Sequence, residues 1–161
     1  MNCVPGMPGV TLWPGDKLHD LLGASDVIVI CLPLTKATRH LFTRDLFRRM
    51  RRHALLINVT RGHIVFGDDL LAVGMYNETM RFYGCEDHIF AQALDEGLIG
   101  GAGLDVTDPE PLPAGHRLWT HPRAVVTPHT AGGSPRRAGR VIATFIENLQ
   151  RMRDGRPLLA L

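Results

Sequence analysis

The chain has 161 residues, of which 45% are hydrophobic and 21% are charged. This composition is typical of one globular domain and excludes a disordered, collagen-like or disulfide-scaffold protein. Its 18 basic and 16 acidic residues give a net charge of +2, which argues against nucleic acid or a membrane surface as the main partner. The longest apolar run, Val27 to Leu34, is too short to cross a bilayer. We therefore expect a cytoplasmic protein.

The three cysteines, Cys3, Cys31 and Cys85, are odd in number and form no C-x-x-C motif. This usage favours a reducing compartment in which the thiols act as small apolar side chains. We predict no metal site.

Four apolar segments are typical of strands in a parallel sheet: Val27–Leu32, Ala54–Val59, Gly101–Val106 and Ala124–Thr127. The first is a continuous run without polar alternation, which predicts burial on both faces. Segments of helical character separate the four. This alternation predicts right-handed βαβ units in a doubly wound α/β domain.

The predicted helices carry their own start and stop signals. The first covers Asp16–Leu22, and Thr43 is a candidate N-cap for a second over Arg44–Met50. Ser134 and Pro135 open a third, which runs to about Asp154 before Gly155 stops it. The apolar stripe of this last helix consists of Val141, Phe145, Ile146, Leu149 and Met152.

A polar or kinked cluster follows each predicted strand, and ligands of open α/β sheets bind at the carboxyl ends of the strands. We expect these clusters to converge on one crevice that contains Arg61, Glu110 and His129. Arginine binds carboxylates through paired hydrogen bonds, and a histidine beside a carboxylate transfers protons near neutral pH. The trio suits acid/base chemistry on a small carboxylic acid. Each residue alone also fits a simpler interpretation, as a solvated loop cation, a turn acid and a loop histidine.

Ordered sequence blocks resemble the D-isomer-specific 2-hydroxyacid dehydrogenase family, which includes glyoxylate/hydroxypyruvate reductases. These blocks are Leu32–Thr35, Leu56–Gly62, Gly103–Val106, Pro109–Pro113 and Thr127–Gly132. The similarity runs from about Gly9 to Leu158 and covers the later part of the family's nucleotide-binding domain. It implies a partial Rossmann-type sheet and hydride transfer between NAD or NADP and a small 2-keto or D-2-hydroxy acid.

The resemblance also implies roles for individual residues. Arg61 would hold the substrate carboxylate and carbonyl, His129 would be the acid/base, and Glu110 would be its carboxylate partner. Asp105 would face the nicotinamide amide. Three further positions would line the cofactor: Pro33, Thr35 and Thr60.

The family's first βαβ strands, its G-x-G-x-x-G turn and its substrate domain have no counterpart in this sequence. The Gly101-Ala102-Gly103 string lies in a predicted strand, and we attribute it to close strand packing. The missing central strand would leave the edge beside Val27–Leu32 unpaired. We therefore expect residues 1–161 to be an incomplete dinucleotide-binding domain that binds NAD(P)H weakly and is marginally folded or self-associated. The complete form is expected to be a homodimer.

The segment Val73–Gln92 interrupts a helix expected to run from Asp68–Ala72 into Ala93–Gly97. Excising it restores a continuous amphipathic helix. We interpret residues 73–92 either as a retained intron or as a genuine surface insertion.

Two other functions remain open. One is a non-catalytic binding module, as in the corepressor branch that shares this fold, or an inactive fragment. The other, less favoured by the net charge, is nucleic-acid binding through Arg48, Arg49, Arg51 and Arg52.

Overall fold

A computed structural model describes residues 9–65 and 88–159. Its strands are β1 (Val27–Ile30), β2 (Leu55–Asn58), β3 (Gly101–Leu104) and β4 (Ala124–Val126). They form one parallel sheet in the order β1-β2-β3-β4. The predicted α/β class and the four strands are confirmed, with each strand ending slightly before its predicted limit.

The described helices are α1 (Leu18–Ala24), α2 (Arg44–Arg49), α3 (His88–Asp95) and α4 (Arg137–Arg153). Short 3-10 turns cover Gly15–Lys17, Gly62–Ile64 and Arg117–Trp119. Thr43 takes the extended backbone of an N-cap, yet its side chain makes no capping hydrogen bond. Helix α4 starts later than predicted, because Ser134 first forms a turn in which its Oγ accepts from the Arg136 N–H.

The core lies on one face of the sheet. Side chains of that face alternate along β1 and β2, and α1, α2 and α3 contribute to the same buried cluster. The rings of Phe47 in α2 and Phe90 in α3 meet edge to face with centroids 5.6 Å apart. Both residues are at most 2% exposed. Helix burial against a parallel sheet therefore supplies the apolar stabilisation of residues 9–65 and 88–129.

The opposite face of the sheet is open, so the prediction that the first strand is buried on both faces is wrong. Val27 and Val29 are 52% and 49% exposed, and Val125 is 64% exposed. Successive side chains of a strand point to opposite faces of the sheet. The buried core cluster covers only one of these two faces. A cavity of about 340 Å³ lies on the open face against Leu55 and Gly103.

Close packing in β3 is confirmed at Gly101, whereas a side chain at Gly103 would make only ordinary van der Waals contact. A Cβ on Gly101 would lie 2.9 Å from Leu55 Cδ2, and one on Gly103 would lie 3.5 Å from Ile57 Cγ1. The predicted sheet edge is also found, since β1 pairs only with β2 among the described strands.

Contacts divide the chain into two units, residues 1–129 and 130–161. The second comprises residues 130–136, α4 and the residues that follow it. Within it, the Asn148 side chain bonds the backbone N–H and C=O of Leu159. Gly155, at φ 65°, follows the helix end as predicted. The predicted apolar stripe is exposed by 49% to 72% at Val141, Phe145, Ile146, Leu149 and Met152. None of the described helices has the length and apolar character needed to span a bilayer.

Most of the 73–92 segment, together with Asp68–Ala72, lies outside the described residues. Its last five residues, 88–92, form the start of α3. Ile89, Phe90 and Ala91 are buried there at 3%, 2% and 0% exposure. The intron or insertion interpretation stays a prediction. Cys3 and Cys85 also lie outside the described residues, and Cys31 is an exposed free thiol.

Candidate active site

A histidine–carboxylate pair lies beyond the carboxyl ends of β3 and β4. His129 Nδ1 is 2.6 Å from Glu110 Oε1, and the two side chains are 41% and 42% exposed. Both residues line a cavity of about 280 Å³, whose other lining residues are Asp105, Thr107, Pro111, Leu112, Trp119, Val126, Thr127 and Pro128. Because Nδ1 faces the carboxylate, Nε2 is the ring nitrogen left for a ligand.

The backbone sets the position of His129. The strand β4 ends at Val126, and the His129 N–H donates to the Thr127 carbonyl over 3.0 Å. His129 has φ 53°, a left-handed conformation that is uncommon outside glycine and concentrated at functional sites. On the opposite loop, the peptide bonds before Pro109 and Pro111 are both cis.

Asp105 joins the two strand ends beneath this pair. It is 5% exposed, and its Oδ1 accepts a hydrogen bond of 2.6 Å from the Thr127 hydroxyl. Its N–H donates to the Asn58 carbonyl, and the Thr127 N–H donates to the Leu104 carbonyl. A buried carboxylate needs such partners, and the Thr127 hydroxyl is one that holds Asp105 at the cavity wall.

The loop after β2, which carries Thr60 and Arg61, is built on a buried asparagine. Asn58 is 0% exposed. Its Nδ2 donates to the Arg61 carbonyl, and its Oδ1 accepts from the Thr60 N–H and hydroxyl. A Cβ on Gly62 would lie 2.3 Å from the Thr107 carbonyl oxygen. Only glycine therefore lets this loop lie directly against the loop after β3.

Arg61 does not line the cavity that holds Glu110 and His129. Its side chain is turned back on its own loop, where Nη1 donates to the Thr60 carbonyl over 2.6 Å. That bond uses one of the five N–H donors of a guanidinium. The Arg61 guanidinium therefore still has enough free N–H donors to bind both oxygens of a carboxylate.

The loop after β1 places Pro33 and Thr35 in a tight turn closed by Thr38. The Thr38 hydroxyl donates to the Pro33 carbonyl over 2.6 Å, and the Thr35 N–H donates to Thr38 Oγ1 over 2.8 Å. These residues also lie outside the cavity lining. The cavity thus unites the clusters after β3 and β4, and the loop after β2 lies against the loop after β3 at Gly62.

Three residues of the site were missed from the sequence. Thr127 and Asn58 are polar residues at strand ends, a signal that could have pointed to them. Trp119 lines the cavity and donates from Nε1 to the Pro113 carbonyl over 3.0 Å, and nothing in its sequence context indicated this. No cluster of potential metal ligands occurs within residues 9–65 and 88–159.

Comparison with known proteins places this geometry in a family. The family profile for the D-isomer specific 2-hydroxyacid dehydrogenase, NAD binding domain, matches residues 11–84 and 85–131. The human glyoxylate reductase/hydroxypyruvate reductase is 35% identical over 139 residues, which are 86% of this chain and 36% of that protein. Glyoxylate/hydroxypyruvate reductase A of Photorhabdus laumondii is 37% identical over 87% of this chain and 38% of its own length. The chain spans little more than a third of these relatives.

Solved structures agree. An NADPH-dependent glyoxylate/hydroxypyruvate reductase from Sinorhizobium meliloti, in complex with NADP and sulfate, matches with a TM-score of 0.67 and 30% identity over 91% of this chain and 41% of that one. A D-isomer specific 2-hydroxyacid dehydrogenase from Xanthobacter autotrophicus, in complex with NADPH and MES, gives a TM-score of 0.66 and 33% identity over 89% of this chain and 50% of that one. The resemblance seen in the sequence is confirmed: the chain belongs to the D-isomer-specific 2-hydroxyacid dehydrogenases, as part of their NAD-binding domain.

Proposed function

We propose that this protein is an oxidoreductase that interconverts a small 2-keto acid and its D-2-hydroxy acid with NAD or NADP. The observation that carries the proposal is the 2.6 Å contact between His129 and Glu110 at the mouth of the cavity. The names of the relatives, several of them glyoxylate or hydroxypyruvate reductases, support glyoxylate and hydroxypyruvate as the first substrates to test.

His129 is the proton donor in the direction of reduction. Glu110 accepts a hydrogen bond from Nδ1–H, which fixes the ring orientation and directs Nε2–H to the keto oxygen. As the carbonyl becomes an alcohol, the Nε2 proton moves to that oxygen and leaves a neutral imidazole. In oxidation the same nitrogen takes the proton back.

Arg61 is the group that would bind the substrate carboxylate. For this its guanidinium exchanges the bond to the Thr60 carbonyl for two parallel bonds to the carboxylate oxygens. The loop that carries it is held by Asn58 and by the close approach of Gly62 to Thr107. These contacts set the backbone position from which Arg61 would orient the substrate.

The residues at the cavity fit the nicotinamide end of a cofactor. Asp105 is a buried carboxylate beside the cavity, and a carboxylate can accept from the amide NH₂ of nicotinamide. When bound, the cofactor supplies the hydride that reduces the keto carbon. Thr60 of the loop after β2, with Pro33 and Thr35 of the loop after β1, would border it. These 161 residues contain no G-x-G-x-x-G turn for the cofactor pyrophosphate.

The test is the oxidation of NADH and of NADPH by the purified protein with glyoxylate or hydroxypyruvate, followed by absorbance. His129→Ala should reduce kcat by about 10²- to 10⁴-fold, the usual contribution of a general acid. His53→Ala is the matched control, because His53 also lies beside a carboxylate, 2.8 Å from Asp26, but at the amino ends of the strands. Equal activity of wild type and His129→Ala would refute the proposed role. Saturable cofactor binding without turnover would instead favour a binding module.

We also propose that the complete protein forms a homodimer in the cytoplasm, with neither nucleic acid nor a membrane as its partner. The exposed apolar residues of the open sheet face support self-association, and the net charge of +2 gives no electrostatic reason for nucleic-acid binding. Light scattering after size-exclusion chromatography tests the dimer, and imaging of a fluorescent fusion tests the location. A monomer at all concentrations would contradict the first.

A further inference from the structure

We propose that His63 is a positioning residue that holds Glu110 against His129 through Asp108, an inference that rests on the proposed function. His63 lies in the 3-10 turn Gly62–Ile64, directly after Arg61. It would fix the geometry of the proton-transfer pair without touching the substrate.

The contact between His63 and Asp108 is the least exposed histidine–carboxylate contact near the site. His63 Nε2 lies 2.7 Å from Asp108 Oδ2, and the side chains are 25% and 7% exposed. In comparison, His129 and Glu110 are 41% and 42% exposed. Asp108 precedes Glu110 by only two residues, so an anchor at Asp108 restricts where the Glu110 carboxylate can lie.

The exposed pair cannot order this loop by itself. An ion pair in contact with water contributes little to stability, because solvent screens it and two side chains lose freedom. The position of Glu110 must therefore come from anchors elsewhere in its loop. These anchors include the His63–Asp108 contact, the 2.9 Å bond from the Thr107 hydroxyl to the Pro109 carbonyl and the bond from Trp119 Nε1 to the Pro113 carbonyl.

His63 also joins a third loop. Its carbonyl accepts a hydrogen bond of 2.8 Å from the His40 N–H, and the Ile64 carbonyl accepts from the Phe42 N–H. His40 and Phe42 belong to the segment that follows β1. His63 is thus where the loops after β1, β2 and β3 meet, and these loops carry Thr35, Arg61 and Glu110 respectively.

The side chain of His63 and its backbone have separable effects in this arrangement. Substitution leaves the carbonyl bond to His40 in place and removes the side-chain contact with Asp108. His63→Leu therefore deletes the anchor, whereas the side-chain amide of His63→Gln can place a donor near the position of Nε2. Asp108→Asn tests the same contact from the other side with almost no change of shape.

The decisive readout is the tautomer of His129, obtained from its ring ¹⁵N shifts in long-range ¹H–¹⁵N NMR spectra. The spectra are recorded at about pH 9, where imidazole side chains are neutral. Wild type should show His129 protonated at Nδ1, because Glu110 accepts from that nitrogen. His63→Leu and Asp108→Asn should show a mixture of tautomers, and His63→Gln should resemble wild type. His53→Leu, which removes the exposed pair with Asp26, should leave the His129 signals unchanged.

Activity provides the second readout. With glyoxylate and NADPH, we expect His63→Leu to lower kcat/KM by about 10- to 100-fold, the effect of a small misplacement of a catalytic group. His63→Gln should recover most of this loss. If His63→Leu does not fold, Asp108→Asn carries the same expectation.

A purely Nδ1–H tautomer of His129 in both His63→Leu and folded Asp108→Asn would overturn the inference. An equal tautomer change in His53→Leu would also overturn it, because the effect would then be a general loss of stability. If wild type shows no turnover, the proposed function fails, and the NMR comparison still decides whether His63 positions the Glu110–His129 pair.

Discussion

Replacing Phe90 with alanine should lower the free energy of unfolding by about 3–5 kcal/mol, the usual cost of deleting a buried phenylalanine. Phe90 is 2% exposed in α3, so its ring has no route to solvent, and the surrounding helices would leave a cavity. The residue belongs to the segment 73–92, interpreted above as an intron or an insertion. The substitution therefore asks whether the end of that segment is part of the folded core.

Part of this loss should be shared with Phe47. The two rings meet edge to face at 5.6 Å, a geometry that contributes about 0.5–1.5 kcal/mol beyond the buried area. A double-mutant cycle with Phe47→Ala should yield a coupling energy of this size. Since small domains are stable by only about 5–15 kcal/mol, Phe90→Ala alone can remove most of the free energy of unfolding of a domain at the lower end of this range.

Urea denaturation followed by far-UV circular dichroism measures the effect. Phe145→Ala is the matched control, because the same side chain is 61% exposed in α4 and its loss should change stability by no more than about 0.5 kcal/mol. Loss of the cooperative transition in Phe90→Ala alone also agrees with the prediction. Equal midpoints for the two variants would refute the packing of Phe90 and favour a segment without a structural role.

Three further outcomes are expected. Gly62→Ala should lower the free energy of unfolding by about 1–3 kcal/mol, the usual effect of overpacking, because the added Cβ would lie 2.3 Å from the Thr107 carbonyl oxygen. Gly139 has open space around it, so Gly139→Ala should not lower the free energy of unfolding in the same urea titration. Thr127→Val should lower the free energy of unfolding by about 1–3 kcal/mol, because it removes one hydrogen-bond donor to the Asp105 carboxylate. Thr144→Val, on exposed α4, should leave the free energy of unfolding nearly unchanged. Hydrogen bonds from His53 and Arg51 hold the pKa of Asp26 in the folded protein below its ordinary value of 3.8. Ionised Asp26 therefore stabilises the folded state above pH 3.8. This stabilisation is lost as the pH falls through the lower pKa of the folded state. The Tm difference between wild type and Asp26→Asn should therefore be largest near neutral pH and should disappear at acidic pH. A Tm difference that does not change with pH would contradict this.

The strands could be predicted because their signal is local. Val27–Ile30 and Leu55–Asn58 fall inside continuous β-branched or aliphatic runs, and such runs between helical segments specify parallel strands. Burial was not predictable in the same way. Whether Val27 and Val29 are buried depends on which elements pack on their face of the sheet. The apolar sequence of the strand does not contain this information.

In the candidate site, too, some features could be predicted from local sequence and others could not. His129 and Glu110 stand in motifs after β4 and β3, and the topology of a parallel sheet brings such strand ends together. Arg61 stands in an equally clear motif, but its side chain is turned onto the Thr60 carbonyl. The orientation of a long, exposed side chain depends on rotamers and partners rather than on sequence position.

The sequence by itself determined the parallel α/β architecture and the family, and it singled out a histidine, a carboxylate and an arginine as candidates for the site. These signals lie in short runs of consecutive residues, which is why the sequence alone was enough. Only the tertiary structure decided the rest. It placed Asp108 of one loop 2.7 Å from His63 of another, made Asn58 and Thr127 supports of the site, buried Phe90 against Phe47 and left one sheet face open. These contacts join residues far apart in the chain, and their energies depend on distance and burial, which exist only once the chain has folded.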